Sequence, residues 1–198
     1  MKKLVLLIVT LVTLSLAASA GIVNIQFTGP AGPSYGGEYT YPYVGSVNGS
    51  PEWLMCTCYN EHIFGGETWN ALALTVSQYG AIVGLSKAEE IAYVYTLAVA
   101  DDGSNPIKNV VAWNLLEGVP SIAGDPAATL LYTEVVGMTF TAGQFADVTV
   151  YLPIGSNNGD VPQTLLGTTP TPEPGTLLSL GSGLVLIAAY ARRKLVTL

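Results

Sequence analysis

The chain has 198 residues, with seven basic against fourteen acidic side chains and a net charge of −7. All fourteen acids fall between Glu38 and Glu173, where Lys87 and Lys108 are the only basic residues, so residues 21–174 carry a net −12. That distribution argues against nucleic acid as a partner, because phosphate binding requires a basic face. The mean hydropathy of +0.44 is high for a soluble domain, and much of the apolarity lies at the two ends.

Residues 1–20 have the three parts of a secretory signal. Lys2 and Lys3 form a positive start, Leu4 to Leu16 an apolar run, and Ala18-Ser19-Ala20 the small residues that signal peptidase needs before a cut at Gly21. The alternative, an uncleaved anchor, suits a longer run without a cleavage site.

The body, residues 21–154, opens with strand signals. Gly21–Thr28 and Gly37–Val47 are rich in Ile, Val and Tyr and bounded by Gly, Pro and Asn. In an extended segment Tyr39, Tyr41 and Tyr43 share a face, and Pro42, which cannot donate to a ladder, predicts an edge or a bulge. Asn48-Gly49 is a hairpin turn signal, after which Trp53–Tyr59 and Glu67–Val76 read as strands. The period then changes. Ser86 with Glu89 predicts a capping box before a helix running to about Ala100. Asn105-Pro106 and Gly118 bracket a second helix over 106–117, and Asp125-Pro126 starts a third that ends near Gly137. Phe145–Leu152 alternates like a strand again. The expected fold class is therefore α+β, a β-sandwich or barrel-like core with an inserted subdomain of two or three helices.

Residues 155–171, rich in Gly, Asn, Thr and Pro, read as a flexible linker. The final segment, 172–198, begins with Pro172-Glu173-Pro174. An apolar stretch over 175–191 follows as a short transmembrane helix, then the basic group Arg192-Arg193-Lys194. This order resembles the PEP-CTERM sorting signal. The resemblance implies recognition by an exosortase at the membrane, processing, and release to the cell surface or extracellular polymer, typically in bacteria that make exopolysaccharide. It implies transient anchoring in the inner membrane before that. An ordinary anchor without processing is the bland alternative.

Within the body, Cys56-Thr57-Cys58 is the first candidate for chemistry. On a strand the two thiols point to one face with their Cα atoms near the limit for bridging, so the pair is either a disulfide across a bend or two buried thiols, one of them reactive. A metal site is not expected. His62 is the only histidine, and Glu61 or Glu67 would have to complete a Cys/Cys/His set. No Gly-x-Ser-x-Gly elbow and no phosphate-binding glycine loop occurs, and Glu89-Glu90 and Asp101-Asp102 read as helix-end and loop charges. No enzyme activity and no cofactor are expected.

The segment Leu54-Met55-Cys56-Thr57-Cys58-Tyr59, then Gly66-Glu67-Thr68-Trp69 and Val111-Ala112-Trp113-Asn114-Leu115-Leu116, resembles bodies of PEP-CTERM proteins and, through them, thioester domains of bacterial surface adhesins. In those domains a strand cysteine and a glutamine amide condense into a thioester that captures amines. Cys56 stands at the cysteine position, but Asn109 stands where glutamine is expected, so the thioester-like site is degenerate. Trp69 and Trp113 read as core residues. Tyr35, Tyr39, Tyr41 and Tyr43 could form a sugar-stacking platform or simply fill a small core. These features lead us to expect an exported surface or extracellular-matrix protein with a structural or adhesive role linked to exopolysaccharide or biofilm. A covalent adhesin using Cys56 is the alternative, and a secreted polysaccharide hydrolase a weaker one.

Overall fold

The computed structural model describes residues 21–118, 124–156 and 160–168. The expectations for the signal peptide, for the cleavage site after Ala18 and Ala20, and for the segment 172–198 with its helix lie outside the described residues, apart from Gly21. Among the described residues no helix is long and apolar enough to cross a membrane.

Among the described residues there are eight strands: β1 (Gly21–Pro30), β2 (Ser34–Tyr35), β3 (Glu38–Tyr39), β4 (Tyr43–Val47), β5 (Ser50–Cys56), β6 (Thr68–Thr75), β7 (Val148–Pro153) and β8 (Leu165–Thr168). Six of them close into an antiparallel barrel in the order β1-β4-β5-β8-β7-β6, while β2 and β3 pair as a small separate hairpin. Four helices lie between β6 and β7: α1 (Val76–Val83), α2 (Leu85–Ala100), α3 (Ile107–Glu117) and α4 (Pro126–Val135). The α+β expectation thus takes the form of a barrel.

The barrel's interior is legible from β1, where buried Val23, Ile25 and Phe27 alternate with exposed neighbours. Strand register carries that face around the barrel, pairing Ile25 with Val47 and Trp69, Tyr43 with Leu54, and Tyr151 with Leu165. On β7 both faces are buried: Val150 is as enclosed as Tyr151. The second face is covered because α1 lies against β6 and β7 while α3 lies against β5. The β4–β5 turn is the expected one, with Asn48 and Gly49 both left-handed (φ 51° and 82°), as a two-residue hairpin of this twist requires.

Several sequence expectations change. The strand expected over Gly37–Val47 is broken: β3 ends at Tyr39, the Tyr41–Pro42 peptide is cis, and β4 starts at Tyr43. The strand expected to run to Val76 ends one residue earlier, where Thr75 and Gln78 form a reciprocal capping box that opens α1. A short apolar, β-branched run fits strand or helix equally, which is why α1 was not distinguishable by pattern. The expected box at Ser86 is absent. Gly84 caps α2 without a side chain, and the Ser86 hydroxyl donates to Glu90 instead (3.2 Å). Glu90, buried, also accepts from the Gly137 N–H (2.9 Å), tying α2 to the chain beyond α4. The cap at Asp125 forms as expected, whereas α3 begins one residue later than expected, with Pro106 and not Asn105 at its N-cap. Asn105 accepts from the Ile107 N–H, and Asp125 accepts from the N–H groups of Ala127 and Ala128. The Tyr35 hydroxyl (2.6 Å), then these N–H groups, hold the Asp125 carboxyl below its usual 3.8.

The linker expected over 155–171 is the largest correction. Its residues 165–168 are β8, paired with both β5 and β7, and Leu165 and Leu166 are fully enclosed. The folded body therefore runs to Thr168, beyond the boundary expected at residue 154. A four-residue strand amid Gly, Pro and Asn gives almost no periodic signal, and its burial comes from filling the gap between two distant strands. Ending the chain at Ser156 should abolish cooperative thermal unfolding by circular dichroism, whereas a chain ending at Thr168 should retain it.

Candidate functional site

The residues singled out for chemistry converge where α3 meets the end of β5. The β4–β5 register pairs Tyr43 with Leu54, so two positions on Tyr41 would face Cys56. The ladder stops short of that pair, since Pro42 has no N–H to give. Asn109 fills the gap with its side chain. Its Oδ1 accepts from the Tyr41 N–H (2.8 Å) and its Nδ2 donates to the Cys56 carbonyl (2.9 Å), so one buried carboxamide replaces the missing peptide link.

Two further contacts lie on the same stripe of α3, at successive intervals of four residues. Trp113 Nε1 donates to the Cys56 Sγ (3.4 Å), and its ring meets Tyr59 edge-on, centroids 5.4 Å apart. Glu117 Oε2 accepts from the N–H groups of Tyr59 (3.2 Å) and Asn60 (3.3 Å) and from the Asn60 side-chain amide (2.7 Å). Asn109, Trp113 and Glu117 together clamp residues 56–60 to the helix.

Both cysteines are free thiols, fully or nearly fully enclosed. Cys56 Sγ donates to the Cys58 carbonyl (2.9 Å), and Cys58 Sγ lies 3.7 Å from the Thr57 hydroxyl. Burial pushes the Cys56 thiol far above its ordinary range, with the neighbouring Cys58 adding and the Trp113 N–H partly offsetting. Burial, then Glu61, raises Cys58 to about 12. Since the thiolate is the nucleophile, neither sulfur is activated in this state.

The structure brings Cys56, Asn109 and Trp113 together and engages both polar atoms of the Asn109 side chain with backbone. His62 is exposed on the 61–67 loop. No group of three or more His, Cys, Asp or Glu side chains that could hold a metal occurs among the described residues. The four tyrosines do not form one platform. Tyr41 and Tyr43 are buried, Tyr35 is engaged with Asp125, and Tyr39 alone is well exposed.

A second polar cluster had no sequence signal. Glu52 accepts from the Tyr151 hydroxyl (3.1 and 3.3 Å to its two oxygens) and from the Thr168 hydroxyl (3.2 Å). Burial raises its carboxyl above the ordinary value, while these hydroxyls pull the other way. Gly167 lies close beside it: a Cβ there would lie 2.2 Å from a Glu52 oxygen and 2.8 Å from the Tyr151 ring, so the Glu52 carboxylate would have to move. Glu52 joins β5 to β7 and β8 across residues 99 and 116 apart in sequence, a relation that no local pattern reveals.

Comparison with known proteins bears on the tail. Residues 170–194 match the PEP-CTERM protein-sorting motif. The match spans Pro172, Glu173, Pro174, Arg192 and Arg193 and implies export, processing by an exosortase and a cell-surface or extracellular destination. No curated protein and no solved structure matches the chain, so the comparisons give no support to a likeness between the body and thioester domains.

Replacing Asn109 by Ala should cost about 2–4 kcal/mol in equilibrium denaturant unfolding, because two buried backbone groups lose their partner at once. Asn109→Asp should also destabilise, since a carboxylate cannot donate to the Cys56 carbonyl.

Proposed function

We propose that the chain is a non-catalytic structural or adhesive component of the cell surface or extracellular matrix, delivered there by its sorting tail and associated with exopolysaccharide or biofilm. The observation that carries this reading is the PEP-CTERM match at residues 170–194. The acidic body supports it, as a strongly negative surface keeps an exported domain soluble. So does the Cys56 site, whose thiol is protonated and whose neighbours serve to hold α3 on the barrel. Signal peptidase and exosortase are the partners this reading requires, with the C-terminal helix held in the inner membrane until processing.

The covalent adhesin is kept as a second reading because Asn109 reaches the Cys56 backbone and Trp113 touches its sulfur. Its chemistry would join the Cys56 Sγ to the Asn109 carboxamide carbon and release ammonia, and a surface amine would then displace the thiol. Both hydrogen bonds of Asn109 would have to break first. The weaker reading, polysaccharide hydrolysis, calls for two facing carboxylates. Glu52 is instead flanked by the hydroxyls of Tyr151 and Thr168.

Intact mass of the protein recovered from its exporting host separates these readings. Loss of residues 1–20 and of the basic tail, with no other change, is the expected result. A further loss of one ammonia, reversed by added methylamine, would promote the covalent adhesin. Retention of Arg192 to Leu198 in a stable membrane form would overturn exosortase processing. In the same preparation Cys56 and Cys58 should resist alkylation until the chain is unfolded in guanidinium.

A further inference from the structure

We propose that a cavity on the β1 side of the barrel, walled by Tyr39, Phe64, His62, Glu38 and Gln163, binds one pyranose ring of an extracellular polysaccharide. The inference rests on the adhesive reading above and gives it a ligand class and a site.

The cavity measures about 210 Å³, with Phe27 and Tyr43 at its base. That is smaller than the roughly 300–1,000 Å³ of sites for drug-sized ligands, so it suits a single ring. Its walls have two kinds of surface. Tyr39 and Phe64 are 56% and 64% exposed, so their flat faces are open to a ligand, whereas Phe27 and Tyr43 are buried and form a fixed floor. Around them stand a carboxylate (Glu38), an imidazole (His62) and a carboxamide (Gln163). A sugar ring has the complementary character: a C–H face that packs on aromatic rings and a hydroxyl rim that needs both donors and acceptors.

The site is also held in place. The Tyr43 hydroxyl donates to the Tyr39 carbonyl (2.9 Å), fixing the backbone of that wall. The Phe64 N–H donates to the Glu67 carboxylate (2.9 Å), and the Gly66 N–H donates to the Phe27 carbonyl (2.8 Å), fixing the loop that carries Phe64. The Gln163 amide nitrogen donates to the carbonyls of Cys58 and Glu61 and secures the start of the same loop. A preorganised site loses less ordering entropy on binding. Gln163 shows one further mark of a ligand site. The residue is only 6% exposed, yet its Oε1 has no hydrogen-bond partner among the described residues. That atom is closed to solvent, so a sugar hydroxyl would reach it only after the Gln163 side chain turned toward the cavity, a movement that satisfying the orphaned carbonyl would favour.

His62 is the only histidine in the chain, so its imidazole protons give a one-residue reporter at the cavity. The protein recovered from its host is titrated with methyl α-glucopyranoside, methyl β-galactopyranoside and N-acetylglucosamine to about 50 mM, which covers millimolar affinities. A saturable shift of the His62 signals with at least one sugar is expected. Tyr39→Ala should weaken that binding about tenfold, the scale of one lost aromatic contact, and should leave the thermal midpoint nearly unchanged because Tyr39 is exposed. Trp53→Ala, an exposed aromatic elsewhere on the barrel, should leave binding unaltered. No saturable shift with any of the sugars, or affinity unchanged from the wild type in both Tyr39→Ala and Phe64→Ala, would overturn the site. A saturable shift with tetramethylammonium in place of the sugars would also overturn it, in favour of a cation pocket. Tail removal, followed by mass in the same samples, separates the two levels. Lost sugar binding in a correctly processed chain would sink this site alone, whereas an unprocessed chain would sink the sorting reading alone.

Discussion

The Asn109 carboxamide is the joint on which the body depends. At that point a β-ladder ends, a helix packs, and two backbone groups would otherwise be buried without partners. Such groups are among the costliest features a fold can contain, so a side chain of the right length and polarity is needed there. Asparagine reproduces the donor and acceptor of a peptide link, and from α3 it reaches both Tyr41 and Cys56. Once it is placed, helical periodicity brings Trp113 over the Cys56 sulfur and Glu117 to the loop at Tyr59 and Asn60.

This arrangement changes the meaning of the cysteines. In an exported chain two neighbouring thiols invite a disulfide or a reactive nucleophile. Here each sulfur is enclosed in the protein and hydrogen-bonded or in polar contact with its own strand end, and burial keeps it protonated. The geometry places Cys56 beside a helix amide without requiring a covalent bond between them. A strand cysteine and a helix amide can be neighbours because the helix is docked there, and Asn109 is already engaged with backbone.

The barrel and its helices divide the labour. The end of β5, with β7 and β8 beside it, is covered on both faces, and the half-buried Glu52 ties these three strands together through Tyr151 and the exposed Thr168. The β1 side keeps exposed residues on its outer face and holds the aromatic cavity near Tyr39 and Phe64.

The sequence by itself determined the targeting tail, because sorting signals are linear and are read as such: Pro172-Glu173-Pro174, an apolar run and a basic end suffice, and the match at 170–194 agrees. It also determined the helix start at Asp125, the start of α3 to within a residue, and the Asn48-Gly49 turn, whose causes lie within three or four residues. Only the tertiary structure decided what depends on distant partners. Strand β8 exists because β5 and β7 leave a gap for it, although residues 155–171 have the composition of a linker. Thr75 starts a helix where the strand pattern could have continued. Tyr41 and Tyr43 became core while Tyr39 stayed open, because the chain turns at Pro42 and the alternation of a single strand no longer applies. The hydrogen bonds of Asn109 to the backbone of Tyr41 and Cys56, 68 and 53 residues away, were decided only by the seating of α3 on the barrel, since a side chain's partners are set by packing and not by its neighbours in sequence.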